Sequence, residues 1–165
     1  MWIVLKYKSK EKHLLQKKLK DLIGVNLIFF NPKLKIEKFF GNKRIFLEKN
    51  LLEDYLICYS KEFLNRSILH KVKFTQGVKY LLENFVYNQK DIINFIKHCK
   101  NFEENGFINT NFFKDINFVK GQFISGPFRN LIFEVLERNH KNLKVLVGNI
   151  KTTISEKSSN SYIPA

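Results

Sequence analysis

The chain has 165 residues and a mass of 19.7 kDa, which suits one domain or two small ones. Its hydrophobic content of 44% excludes a disordered protein, and its apolar runs, such as 27–30 and Tyr55–Tyr59, are far shorter than the ~20 residues that span a bilayer. The N-terminal apolar residues precede the first charges, the reverse of a secretory signal, so we expect a cytoplasmic protein.

The first 50 residues predict a strand, a helix and a hairpin. Residues 2–5 form a short apolar strand, and Ser9 caps an amphipathic helix that ends at Gly24. Residues 26–36 have an extended pattern, and Gly41-Asn42 between two β-rich runs is a hairpin signal. Around the predicted tip lie three basic residues, Lys38, Lys43 and Arg44.

The next 50 residues add two strands and two helices. Strands are predicted at Tyr55–Tyr59 and 78–82, a helix follows Ser60 through residue 69, and Asn88 caps a further helix. The order β-α-β-β-β-α-β-α predicts an α+β domain over residues 1–101, with an antiparallel sheet and flanking helices.

Residues 102–117 have little periodicity and predict a linker. Short β-rich runs separated by turn signals then predict a small β-barrel over residues 118–156. The Ser- and Asn-rich residues 157–165 are typical of a flexible tail.

The net charge of +14 is concentrated near the N-terminus. Residues 1–50 hold 13 basic and 4 acidic side chains, against 8 and 7 in residues 51–111 and 8 and 4 in residues 112–165. Such a patch attracts polyanions by counterion release. A lysine-coated solubility surface explains the charge equally well, and the excess of lysine over arginine also fits AT-rich coding.

No constellation of catalytic or metal-binding residues emerges from the sequence. Cys58 and Cys99 are far apart, and Cys58 fits a small core residue. Nucleotide-binding glycine motifs are absent, and the histidines are scattered as His13, His70, His98 and His140. We therefore expect no enzyme activity, no metal and no cofactor.

The chain resembles the NusG family of transcription elongation factors, an α+β domain followed by a KOW barrel, almost end to end. The residues that carry this resemblance are Trp2-Ile3-Val4-Leu5, residues 51–57, Gln76-Gly77-Val78 and the KOW-like Phe123, Gly126, Pro127 and Phe128. Gly126-Pro127 is expected to set a tight turn after which Phe128 begins a strand.

Three positions depart from the family pattern. Glu53-Asp54 replaces Pro-Gly before Tyr55, Phe133 replaces a usual KOW glycine, and Phe118 replaces the glycine that opens the first barrel strand. Such drift is more similar to a specialised paralogue of the RfaH type than to the housekeeping factor.

The resemblance implies that the first domain docks on RNA polymerase through an apolar depression at Leu52, Tyr55, Ile57 and Leu81. The alternative is that these four are ordinary core residues. His70 stands in the region of a second polymerase contact and is carried over with it.

The resemblance also implies contacts to non-template or upstream DNA at Lys8, Thr75 and Gln76, with Lys10 nearby. Tyr7 is an aromatic candidate for base stacking, with inward packing as its alternative. For the barrel the implied partners are the termination factor Rho or a small-subunit ribosomal protein. We expect a monomer without a membrane partner.

The leading hypothesis is a polymerase-bound elongation or antitermination factor that favours processive transcription. The alternative is a KOW-type RNA- or ribosome-binding protein, and a stand-alone DNA-binding regulator is a third reading. Residues 128–140 also fit a helical stripe, as in RfaH-like barrels that refold, although their β-branched and Phe content favours a strand.

Overall fold

The chain forms two compact units in the computed structural model, which describes residues 1–40, 43–113, 118–139, 142–155 and 160–165. For residues 38–40, 44 and 110 the backbone alone is described. The first unit comprises Met1–Lys33 and Asn50–Asn101, and the second comprises Leu34–Lys49 and Phe102–Ala165.

The described helices and strands follow in chain order. Those up to residue 101 are β1 (Trp2–Tyr7), α1 (Lys12–Ile23), β2 (Ile28–Phe30), β3 (Lys33–Phe40), β4 (Lys43–Asn50), β5 (Tyr55–Tyr59), α2 (Arg66–Lys73), β6 (Val78–Leu81) and α3 (Gln89–Asn101). Those after it are β7 (Glu103–Glu104), β8 (Phe107–Ile108), β9 (Lys120–Phe123), β10 (Ile132–Arg138), β11 (Asn142–Val147), β12 (Ile150–Ser155) and β13 (Tyr162–Pro164).

The first unit is built on an antiparallel sheet in the order β2-β5-β1-β6. Strand β1 is central: Lys6 pairs with Tyr55 of β5 on one side and with Tyr80 of β6 on the other. The predicted α+β arrangement, an antiparallel sheet with helices, is confirmed for this part of the chain.

The alternation of β1 divides the sheet into two faces. Ile3, Leu5 and Tyr7 are buried on the inner face, where α1 and α2 supply apolar side chains at helical spacing. The buried members of this inner core are Ile3, Leu5, Tyr7, Leu15, Leu19, Leu27, Leu56, Cys58, Phe63 and Val72. Trp2, Val4 and Lys6 alternate with them and therefore lie on the outer face.

The starts of α1 and α2 differ from the predicted ones, whereas α3 begins directly after the predicted Asn88. Ser9 belongs to a 3-10 turn before α1, and its hydroxyl donates to Asp54 Oδ1 at 2.6 Å instead of capping the helix. Helix α2 begins after Asn65, whose side chain accepts a hydrogen bond from Ser67 N–H. An extended Asn with a side-chain acceptor satisfies the free N–H groups of the first turn, and Ser60 lies too far upstream to do so.

Helix α3 is fixed to the sheet by its first residue. Gln89 Oε1 accepts from Trp2 N–H at 2.9 Å, and Gln89 Nε2 donates to Trp2 O at 2.7 Å. The side-chain amide thus satisfies both main-chain groups of Trp2, as a neighbouring strand would do.

In the second unit, β3 and β4 form a two-stranded sheet. The sequence predicted this hairpin as part of the N-terminal domain, whereas its strands group with the residues after 101. Lys35 Nζ lies 4.5 Å from the ring centroid of Phe46 and 5.9 Å from that of Phe107, which gives the hairpin a cation–π link within this unit. The predicted tip Gly41-Asn42 lies outside the described residues.

The segment predicted as a linker has regular structure in its described part, residues 102–113. Strands β7 and β8 pair there, and a 3-10 helix spans Thr110–Phe113. Ile108, Phe112 and Phe113 are buried. Aromatic side chains give this segment apolar contacts that its lack of periodicity did not indicate.

The remaining strands form an antiparallel sheet in the order β12-β11-β10-β9-β13. Among the residues that the structure describes, no pairing joins β12 to β13, so a closed barrel is not shown. Strand β13 lies within the predicted flexible tail and pairs with β9, Tyr162 opposite Phe123. Residues 132–138, inside the segment with a helical stripe, form strand β10.

Aromatic rings fill the core of this five-stranded sheet. Phe133 lies 4.7 Å from Phe123 and 5.7 Å from Tyr162, and Phe118 lies 6.3 Å from Phe133, measured between ring centroids. The two KOW departures, Phe118 and Phe133, thus pack against each other over Gly121, where a Cβ would collide with the Phe133 ring. The glycine is needed because the rings occupy its side-chain space.

We expect Gly121→Ala to lower the free energy of unfolding of the second unit by about 1–3 kcal/mol, because the added methyl overpacks the Phe133 ring. Hydrogen exchange of the full chain should show faster exchange in β9 and β10, with β1 and β5 unchanged.

The control is Gly148→Asn, at a position with open space and a φ of +59° that Asn tolerates. Equal exchange rates in the Gly121→Ala and control proteins would contradict this account of the core.

Candidate interaction surface on the outer sheet face

The outer face of the first sheet carries a cluster of two tyrosines and a lysine. In an antiparallel sheet, residues directly opposite each other across a strand pair project to the same face. Tyr55, Lys6 and Tyr80 occupy one such row across β5, β1 and β6. We call these three residues the outer-face cluster.

The three side chains contact one another. The hydroxyls of Tyr55 and Tyr80 lie 2.9 Å apart, and their ring centroids are 6.5 Å apart in an edge-to-face arrangement. Lys6 Nζ lies 4.9 Å from the Tyr55 ring centroid and 6.0 Å from that of Tyr80. Tyr80 is 41% exposed, so the cluster presents aromatic surface and a cation to solvent.

The hydrogen bond between the two hydroxyls shifts the pKa values of Tyr55 and Tyr80 in opposite directions. The hydrogen bond with the Tyr80 hydroxyl is the main cause that lowers the pKa of Tyr55. Desolvation opposes this shift, and weaker contacts with Lys6 add to it. The same hydroxyl bond raises the pKa of Tyr80. The Tyr55 hydroxyl raises the pKa of Lys6, which keeps the ammonium charged.

A constrained turn holds Tyr55 at the start of β5. Glu53 has a φ of +49°, a left-handed conformation that costs a non-glycine residue about 1 kcal/mol or more. Its carbonyl accepts a hydrogen bond from the Tyr7 hydroxyl at 3.1 Å, and Asn50 Nδ2 donates to that hydroxyl at 3.3 Å. The buried Tyr7 therefore supports the turn that precedes Tyr55.

The structure distributes the predicted polymerase-contacting residues over different environments. Tyr55 is half-buried on the outer face, and Leu52 is half-buried in the preceding turn. Ile57 is on the outer face of the same strand but only 4% exposed. Leu81 lies opposite Leu5 and packs on the inner core.

His70 lies on α2, one of the helices of the inner side, with its ring against Phe74. Sequence reasoning missed Lys6 and Tyr80 as neighbours of Tyr55. Alternation in residues 2–7 was the available signal, since it separates Lys6 from the apolar Leu5 and Tyr7.

Three of the four predicted DNA-contacting residues of the first unit meet at the end of β1. Lys8 N–H donates to Gly77 O at 2.9 Å, which places Lys8 beside Thr75 and Gln76. Lys18 Nζ donates to Gln76 Oε1 at 2.5 Å and adds a lysine from α1. Lys10 is exposed in the 3-10 turn that follows.

The predicted basic hairpin residues belong to the second unit. Lys43 is exposed on β4. For Lys38 and Arg44 the structure describes the backbone alone.

The KOW-like residues surround the turn after β9. Phe123 is fully buried, and Gly126 has a φ of +76° with the Asn160 side chain filling the space of a Cβ. Pro127 and Phe128 lie in a turn, with the Phe128 ring 5.6 Å from that of Phe123. The strand predicted to begin at Phe128 begins at Ile132, because residues 127–130 complete the turn.

Within the ranges that the structure describes, no three His, Cys, Asp or Glu side chains are grouped so as to hold a metal ion. Of the helices described, none has the length and apolar character needed to cross a membrane.

The solved structures that are similar to this chain include the following two. A crystal structure of the MjSpt4:Spt5 complex in conformation B matches at 10% identity and a TM-score of 0.32, covering 94% of this chain and 92% of that one. A structure of Thermotoga maritima NusG that concerns its domain interaction matches at 14% identity and a TM-score of 0.31, covering 93% and 91%.

No protein-family model matches the chain, and no curated protein does. At these TM-scores, any functional inference has to come from the residues of the chain itself.

The hydroxyl pair makes a direct prediction for Tyr80→Phe. Removing the Tyr80 hydroxyl takes away the main cause that lowers the pKa of Tyr55, so we expect that pKa to rise. A titration followed by NMR of tyrosines labelled with 13C at Cζ resolves the individual residues.

Tyr59→Phe is the matched control, because Tyr59 lies on the same face but packs against Trp2, with ring centroids 5.0 Å apart. A Tyr55 titration that is unchanged by Tyr80→Phe would contradict the hydroxyl contact.

Proposed function

We propose that this chain is a transcription elongation factor of the NusG type that binds RNA polymerase through the outer-face cluster. The observation that carries the proposal is the Tyr55–Tyr80 hydroxyl pair with Lys6 beside it, exposed on a rigid sheet. Tyr55 is one of the four positions at which the NusG resemblance of the sequence implies an apolar polymerase contact.

The chemistry of the cluster suits a protein partner. Tyrosine supplies a large contact area at a low cost in side-chain entropy, and its hydroxyl can pair with polar groups at an interface. The ring contacts and the hydroxyl bond already restrain Tyr55 and Tyr80, so less freedom is lost on docking. Lys6, which lies between the two tyrosines in the row, favours a partner surface that brings an acidic residue against it.

The mode of action would be a shift between two polymerase conformations. A factor that binds the elongating conformation more tightly than the paused one raises the population of the elongating form. The gain equals the ratio of the two affinities, so a tenfold preference corresponds to about 1.4 kcal/mol. This role requires binding alone, and we propose no catalytic activity for the chain.

A second contact, made with DNA, would strengthen the contact with RNA polymerase. Lys8 and Lys10 are exposed near the turn that contains Thr75 and Gln76, and lysines position a protein on phosphates without reading sequence. We also propose that the chain acts in the cytoplasm as a specialised paralogue. The departures at Glu53, Phe118 and Phe133 support specialisation, since the structure uses each of them in a local contact or turn.

Tyr55→Ala tests the proposal. We expect it to weaken binding to purified core RNA polymerase about tenfold or more, because truncating a central interface tyrosine removes both area and a hydroxyl partner. Affinity is measured by biolayer interferometry without nucleic acid, and pausing is measured in an in vitro elongation assay.

Tyr87→Ala is the control, since Tyr87 is an exposed aromatic residue just before α3 and outside the outer-face cluster. Equal polymerase affinity of the wild-type and Tyr55→Ala proteins would overturn the proposal. Tight binding to ribosomal RNA with a steep salt dependence and no polymerase affinity would favour the KOW-type RNA-binding reading instead.

A further inference from the structure

An exposed pair of rings lies where α2 ends. The Phe74 ring is 70% exposed and lies 4.7 Å from the His70 ring, measured between centroids, at an interplanar angle of 50°. Phe74 N–H donates to His70 O at 3.3 Å, so the two residues are held one helical turn apart. Val72 on the same helix is fully buried, which fixes the direction of this last turn.

Basic side chains surround the ring pair. Lys71 and Lys73 lie in the same helical turn, and residues 60–79 contain five Lys or Arg against one acidic residue, Glu62. Surfaces for single-stranded nucleic acid combine aromatic rings with a positive surround. Charge complementarity therefore favours a polyanion with accessible bases.

The ring pair is continuous with the polar turn that follows it. Thr75 Oγ1 donates to Lys71 O at 2.9 Å, and Gln76 accepts the hydrogen bond from Lys18. Gly77 has a φ of +96°, and a Cβ there would lie 3.1 Å from Leu15 Cβ, so the turn sits closely on α1. Ring, turn and lysines thus form one fixed surface.

We infer that Phe74 and His70 form a stacking platform for a base of single-stranded DNA, whose phosphates contact Lys71, Lys73, Lys18 and Lys8. The inference rests on the DNA-binding part of the proposed function and names the residue that gives that contact its stacking energy. Stacking on an exposed ring requires a base that is not already stacked on its neighbours, and the bases of a duplex are stacked. Tyr7, the aromatic candidate from the sequence, is buried and engaged with Glu53 O.

Binding of a fluorescein-labelled 12-nucleotide oligo(dT) to the full chain tests the inference by fluorescence anisotropy. We expect Phe74→Ala and Phe74→Leu each to weaken binding about fivefold or more, and Phe74→Trp to restore it with quenching of the new indole fluorescence. The salt dependence should stay unchanged in these variants, whereas the double variant Lys71→Ala/Lys73→Ala should lower its slope.

Tyr87→Ala is the matched control, since Tyr87 is an exposed tyrosine outside both the ring pair and the outer-face cluster. It should bind the oligonucleotide as the wild type does. Wild-type affinity of Phe74→Leu, or tighter binding to duplex DNA or to oligo(U) than to oligo(dT), would overturn the inference. The assay contains no polymerase, so a negative result here does not contradict the polymerase contact of the outer-face cluster. A negative result in the polymerase-binding assay likewise does not contradict the stacking platform.

Discussion

The register of β1 between β5 and β6 is the constraint on which the rest of the first unit depends. Lys6 stands opposite both Tyr55 and Tyr80, and a slip by one residue would bring it to the helix-covered face. Burial of Ile3 and Leu5 against α1 and α2 prevents that slip. The hydrophobic core therefore determines which side chains are left to form the outer-face cluster.

The inner core also organises the opposite side of the sheet. Helix α2 is held by Val72, and its C-terminal turn carries the Phe74–His70 pair into solvent. The same sheet thus supports an aromatic surface on each side, one suited to a protein and the other to single-stranded nucleic acid. Two separate contacts of modest strength can give a large combined affinity when both partners belong to one complex.

The sequence predicts the first unit well because its patterns are strong and local. The Tyr55–Tyr59 strand has the predicted limits, and α1 ends at the predicted Gly24. The second unit is harder to predict, because its contacts join distant residues. Tyr162 pairs with Phe123, and Lys35 reaches Phe107, neither of which leaves a periodic signal.

The candidate site is predicted in part. The sequence resemblance singles out Tyr55. It cannot tell which side chains of β6 lie on the same face of the sheet as Tyr55. The β1–β6 register pairs Lys6 with Tyr80 and Leu5 with Leu81, which brings Tyr80 rather than Leu81 to the outer face. Phe74 carries no signal in sequence, since an isolated Phe after a helix is more often buried than exposed.

Site-specific photocrosslinking tests most directly the claim that the outer-face cluster is a polymerase-binding surface. The photoreactive residue benzoylphenylalanine replaces Tyr80 in one protein and Tyr87, an 86% exposed tyrosine before α3, in another. The account predicts an efficient crosslink to one polymerase subunit from position 80 and a weaker one or none from position 87. Crosslinking from position 87 alone, or from neither position under conditions where the proteins bind, would contradict it.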